Sequence, residues 1–153
     1  MLLAVDNKLA AIVGAVDPIK ENAKKAVDRL NELGIETAMI TGDNEKTAKA
    51  VALQLGIKNV IAEVLPSDKA EEVKKMQLLG KKVVFVGDGI NDAPALTKAD
   101  VGIAVGNGTD IAIEAGNVVL MKNDIQDVTK AIKIGIFAMK KIKQNLFWAF
   151  FYN

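Results

Sequence analysis

Short apolar runs alternate with helix-like runs along almost the whole chain, and this alternation restricts the fold more than any other feature. Leu2–Val5 and Leu9–Val16 read as strands around a tight turn at Asp6-Asn7-Lys8. Further strand-like runs occur at Glu36–Ile40, Asn59–Val64, Val83–Val86, Val101–Val105 and Val118–Met121. Helix-like runs separate them. The first starts at Asp17-Pro18, with Asp as N-cap and Pro at the first helical position. Its apolar positions Ile19, Ala23, Ala26, Leu30 and Leu33 are spaced by 4, 3, 4 and 3 residues, which is one face of a helix. Helices are also predicted over Glu45–Leu55, Pro66–Leu79, Asp92–Ala99 and Thr109–Ala115. Gly34, Gly56, Gly80 and Gly116 stand as C-terminal stops.

This order predicts an α/β fold of the Rossmann-like kind, a parallel sheet with helices on both faces. Ligands in such folds sit at the carboxyl ends of the strands, so the loops after the strands are the ones to inspect. From Asp124 the chain reads as one long helix, with Val128, Ala131, Ile132, Gly135, Ala138, Met139, Ile142 and Leu146 as an apolar stripe.

Composition narrows the chemistry. The chain has no cysteine and no histidine. Disulfides, thiol nucleophiles, zinc sites and His-based acid–base catalysis are therefore excluded, and the lack of disulfides fits a reducing compartment. Twenty Lys and Arg offset 19 Asp and Glu, so no global charge points to nucleic acid. Lys130, Lys133, Lys140, Lys141 and Lys143 cluster near the end of the sequence. After them comes the apolar, aromatic run Leu146–Tyr152. Residues 146–153 make about 12 Å of helix, short of the roughly 20 residues a membrane span needs. Basic residues before an apolar run suit the cytoplasmic start of a membrane helix. An amphipathic helix packed on the sheet is the other reading.

Three strand-end loops share a theme. Thr41-Gly42-Asp43-Asn44 lies between a strand and a helix. There the Thr41 hydroxyl and backbone N–H groups can hold a phosphate, or the loop is a plain helix cap. Leu65-Pro66-Ser67-Asp68-Lys69 puts a lysine in the first turn of a helix. The helix dipole disfavours a cation there, so an anion is expected nearby, unless the lysine is simply solvated. Val86-Gly87-Asp88-Gly89-Ile90-Asn91-Asp92 is the strongest signal. Glycines let backbone approach a ligand, and carboxylates beside a phosphate site suit Mg²⁺.

Taken in order, these loops resemble the haloacid-dehalogenase-type phosphotransferases, and among them the heavy-metal P-type ATPases. The resemblance rests on Asp17 through Ala26, Thr41-Gly42-Asp43-Asn44, Ala62 through Pro66 with Asp68-Lys69, Gly87 through Leu96, Ala99 through Ala104, and Gly108 through Ala112. It covers nearly the whole chain. It implies that Thr41, Gly42, Lys69 and Asn91 bind phosphate, that Asp43 belongs to the catalytic set, and that Asp88 and Asp92 serve Mg²⁺. Asp92 is expected to hold the loop or the metal's outer coordination. It further implies ATP, bound mainly by a nucleotide-binding domain outside this chain.

In that family the phosphorylated aspartate sits in Asp-Lys-Thr-Gly-Thr on the sheet's central strand. No aspartate here fits that motif, since Asp6, Asp17, Asp43 and Asp88 are each followed by other residues. The expected sheet therefore lacks its nucleophile strand and has a central gap. The implied whole is a cation-translocating ATP hydrolase at the cell membrane, with this part on the cytoplasmic side. Gln144-Asn145-Leu146 and Tyr152-Asn153 resemble copper-transporting members, in which the Tyr-Asn pair belongs to the Cu⁺ path. Zinc or cadmium is the next choice of cargo. The expected divisions are 1–123 for the phosphorylation domain, 124–145 for a connecting helix, and 146–153 for the start of a membrane helix. A soluble phosphatase of the same superfamily and a non-catalytic Mg²⁺- and phosphate-binding module are the rival readings.

Overall fold

The computed structural model describes residues 2–6, 8–12, 18–88, 90–106, 114–122 and 124–152. β1 (Leu2–Val5) and β2 (Lys8–Ile12) form an antiparallel hairpin. β3 (Ala38–Ile40) pairs in parallel with β4 (Asn59–Ile61). β5 (Val84–Gly87), β6 (Val101–Val105) and β7 (Val118–Leu120) form a second parallel sheet in that order. The helices are α1 (Ala23–Glu32), α2 (Glu45–Leu55), α3 (Lys69–Leu78), α4 (Ala93–Lys98) and α5 (Gln126–Tyr152).

The alternation is as expected, with shorter elements. α1 starts at Ala23 rather than at Pro18; its ladder opens with Ala26 N–H donating to the Asn22 carbonyl. Asn is favoured at helix ends over helix interiors, and it cuts the run there. The helices expected to begin at Pro66 and Asp92 instead open with 3₁₀ turns, Pro66–Asp68 and Ile90–Asp92. The glycine stop after α2 is real. Gly56 has φ 76° and donates back to the last turn, while Ile57 N–H reaches the Ala52 carbonyl at 2.9 Å. The helix expected over Thr109–Ala115 falls mostly on 107–113, outside the described residues, as do 13–16 at the end of the second expected strand and Asp17, the expected N-cap.

The described parallel strands stand in two sheets, not one. Between them lies a cleft of about 970 Å³, lined by Ala38 and Ile40 of β3, Val84 and Val86 of β5, and Val73 and Met76 of α3. This is where the sequence predicts a gap. Facing edges of β3 and β5 have no strand partner among the described residues.

The core sits under the β5–β6–β7 sheet. Ile103, Val105 and Val128 form its centre, with Val86, Val118, Leu120, Ile125 and Ile132 packed around them. The first turns of α5 thus belong to the domain, and Arg29 of α1 donates to Gln126 of α5 at 3.3 Å. From Lys133 onward every described residue of α5 is exposed. The helix runs unbroken through the expected boundary at 145/146. Among the described residues no helix is long and apolar enough to cross a membrane.

α4 packs closely on β6. A Cβ at Gly102 would lie 2.5 Å from the Leu96 carbonyl oxygen, and Leu96 is fully buried. Gly102→Ala must push backbone against backbone. The expected cost is about 1–3 kcal/mol, read as a lower denaturant midpoint at unchanged slope.

Asp100 ties three segments together. Its carboxylate accepts from Lys82 Nζ at 2.7 Å, from the Val83 N–H at 3.0 Å and from Gln77 Nε2 at 3.1 Å. The Lys82 hydrogen bond, then those from Val83 and Gln77, hold this carboxyl far below the usual carboxylate range. A depressed folded-state pKa stabilises above the unfolded value of about 3.9, and that gain fades as pH falls through the folded value. Asp100→Asn is therefore expected to lower Tm by a few degrees at pH 7. The deficit relative to the parent should narrow below pH 3.9 in thermal melts.

Candidate functional site

β3 ends at Ile40, and the chain turns through Thr41-Gly42-Asp43 into α2. Asn44 caps that helix by accepting from the Thr47 N–H at 2.9 Å, satisfying one of its open donors. Thr41 and Asp43 grip each other. Thr41 Oγ1 donates to Asp43 Oδ2 at 2.9 Å, and Asp43 N–H donates to Thr41 Oγ1 at 3.1 Å. The loop is tied to the end of β4 as well, with Val64 N–H on the Thr41 carbonyl at 3.0 Å and Glu63 N–H on the Asp43 carbonyl at 2.9 Å. Glu63 takes a left-handed backbone, φ 57°, to make this contact. Such a conformation costs a non-glycine residue about 1 kcal/mol or more, so the loop is held by its surroundings.

Lys69 opens α3, and the anion expected near it is present: Asp92. Lys69 Nζ donates to Asp92 Oδ1 at 2.7 Å, with both side chains mostly buried. The residues are 23 apart in sequence. Spacing alone carried no sign of this contact. Both also border the cleft between β3 and β5.

Asp92 is 9% exposed and stands over the end of β5. A Cβ on Gly87 would fall 2.7 Å from Asp92 Cβ and Oδ2. This glycine has a role within the protein beside the expected approach of backbone to a ligand. It makes room for the Asp92 side chain. Asp88 and Asn91 are exposed on the same loop; Gly89 lies outside the described residues.

Mg²⁺ takes one or two carboxylates together with phosphate oxygens and water. Asp88 offers an exposed carboxylate at the end of β5. Asp92 is committed to Lys69, and no group of three or more acidic ligands gathers among the described residues. The donor set fits a hard ion that shares its coordination with phosphate and water. It does not fit an all-protein cage. Tyr152, the other expected metal-path residue, is 96% exposed at the tip of α5; Asn153 is outside the described residues.

Comparison with known proteins gives a consistent result. Residues 2–100 match the haloacid dehalogenase-like hydrolase family. The chain is 59% identical over 150 residues to Copper-transporting ATPase 1 of Rhizobium meliloti (strain 1021), covering 98% of this chain and 18% of that protein. It is 51% identical over 153 residues to the copper-exporting P-type ATPase of Staphylococcus aureus (strain Newman), covering 100% of this chain and 19% of that one. Among solved structures, a zinc-transporting PIB-type ATPase in its E2.Pi state superposes with TM-score 0.85 at 35% identity, over 94% of this chain and 24% of that chain. The chain spans under a fifth of the length of these curated relatives. With the strand-end loops and their contacts in place, the chain belongs to the haloacid dehalogenase-like hydrolase family.

Proposed function

We propose that this chain supplies the phosphate- and Mg²⁺-binding half of the aspartyl-phosphate site of an ATP-driven, copper-exporting P-type pump. The observation that carries the reading is the Lys69–Asp92 pair on the border of a cleft between two strand edges. A further strand seated there would end beside this lysine. An aspartate at its end would be phosphorylated beside the Lys69 ammonium, with Mg²⁺ on Asp88 supplying the rest of the counter-charge. The identity to copper-transporting relatives exceeds that to the zinc-transporting structure, which supports Cu⁺ as cargo.

In this reading Thr41 and Gly42 hold the phosphoryl oxygens. To do so the Thr41 hydroxyl turns its one hydrogen from Asp43 Oδ2 to a phosphoryl oxygen, while the Asp43 N–H keeps Thr41 Oγ1 in place. Lys69 has three donors; one stays on Asp92 while another faces the phosphoryl group. Asp92 thus keeps the ammonium from drifting, and Asn91 adds an amide donor. Asp88 is the residue that would hold Mg²⁺, which when bound neutralises charge on the phosphoryl oxygens. Phosphoryl transfer is mostly positioning and charge stabilisation, and these groups supply both without histidine.

ATP would be held mainly by the nucleotide-binding domain of the same pump. Residues 1–123 would form the cytoplasmic part, 124–145 the connection, and 146–153 the entry into the membrane, with Tyr152 and Asn153 on the metal path. The setting is the cytoplasmic side of the cell membrane.

Titration calorimetry of the chain with orthovanadate, a phosphate mimic, tests the site. Mg²⁺ should strengthen binding, and Asp88→Asn should abolish that dependence. Lys69→Met should weaken binding about 10- to 100-fold, the loss expected of one charge-assisted hydrogen bond. Equal binding by parent and Asp88→Asn would sink the assignment. A separate expectation concerns the nucleophile. Incubation of the chain with γ-labelled ATP should leave no acid-stable, hydroxylamine-sensitive label. Such a label would show that one of its own carboxylates is phosphorylated.

A further inference from the structure

The exposed part of α5 changes chemistry along its axis. After Asp127 the helix has no acidic residue, yet it carries Lys130, Lys133, Lys140, Lys141 and Lys143. Lys130 is paired with Asp127 at 2.6 Å. Lys141 lies 5.8 Å from the Phe137 ring and donates to Gln144 at 3.3 Å. Lys133, Lys140 and Lys143 have no carboxylate partner among the described residues. At 100° per residue these three fall within one sector of about 80°, and the same sector continues into Phe147 and Phe151.

From Gln144 to Tyr152 no residue is charged. Phe147, Trp148 and Phe151 form a cluster with ring centroids 5.5–6.1 Å apart. All three are more than half exposed. Lys143 and Phe147 are about 6 Å apart along the axis. Cations giving way to aromatic rings over that distance match the headgroup-to-acyl boundary of a bilayer, where Trp and Tyr gather and lysines reach outward.

We infer that the Lys133–Lys140–Lys143 face of α5 binds the anionic headgroups of a lipid bilayer while the aromatic end enters the interface beneath them. This goes beyond membrane attachment, on which it rests, by naming a lipid class and the residues that select it. Charge decides the class. Neutral lipid satisfies the aromatic end but leaves three ammonium groups unmatched. Each lysine near an anionic surface is worth about a fivefold gain in partitioning, and with α5 lying tilted on the surface, so that Lys133 reaches it about 15 Å behind Lys143, three give about 100-fold.

Trp148 is the single tryptophan, so its emission reports burial directly. The whole chain is titrated with vesicles of phosphatidylcholine alone and with vesicles in which about a third is phosphatidylglycerol, a common anionic lipid. A blue shift is expected with both, at about 100-fold less lipid for the anionic vesicles. The triple Lys→Gln variant at 133, 140 and 143 should lose that preference and keep the neutral-vesicle midpoint. The triple Lys→Arg variant should retain it. Equal midpoints for the parent would overturn the inference and leave membrane attachment standing. No shift with either vesicle would overturn both. Competition by inorganic phosphate at matched ionic strength would assign the face to a free anion. A concentration-dependent blue shift without lipid would assign it to a second copy of the chain. Either result overturns the proposal.

Discussion

The site depends on how closely one short segment can lie on a parallel sheet. Residues 90–98 fold back over the ends of β5 and β6, and two glycines allow it. Gly102 receives the Leu96 carbonyl and Gly87 receives the Asp92 side chain. Any side chain at either position would lift the segment by a substantial part of an atomic diameter. Asp92 would then leave Lys69, and the 2.7 Å contact that joins the start of α3 to the β5 loop would open. Backbone packing against backbone is thus what brings charges from distant parts of the chain together. The hydrogen bonds then hold them.

Much of this was legible in the sequence because strand-end chemistry is local. The Thr41-to-Asn44 loop, the lysine at the start of α3 and the Asp/Gly loop after β5 all stand where the alternation put them. Three of the four glycine stops, Gly34, Gly56 and Gly80, have left-handed backbones; Gly116 does not. A lysine at a helix start called for an anion, and one is there. Which anion it is could not be read, because a contact over 23 residues depends on packing and leaves no periodic trace. The same limit hid the contact between Gly87 and the Asp92 side chain, which leaves no mark in the sequence.

Element ends were the weaker part. Asp-Pro was read as a helix start, yet α1 begins several residues on, after Asn22. Of the expected apolar face only Ile19 precedes the helix, and it is partly buried there. The single expected sheet is two among the described residues, since each strand edge facing the cleft lacks its neighbour. The long helix was correctly anticipated, but its apolar stripe packs against the domain only in its first turns. Periodicity marks an apolar face and says nothing about what covers it.

That arrangement makes α5 a lever. Its 27 residues extend about 40 Å, and its foot is clamped in the core through Val128 and Thr129. A tilt of about 10° at the foot would sweep the far end through about 7 Å. Amplification of this kind requires a stiff shaft, and the shaft has one soft joint. Gly135, the sole glycine of the helix, sits just beyond the clamp with open space where a Cβ would be. Of all the turns in the shaft, that one offers the least side-chain resistance to bending.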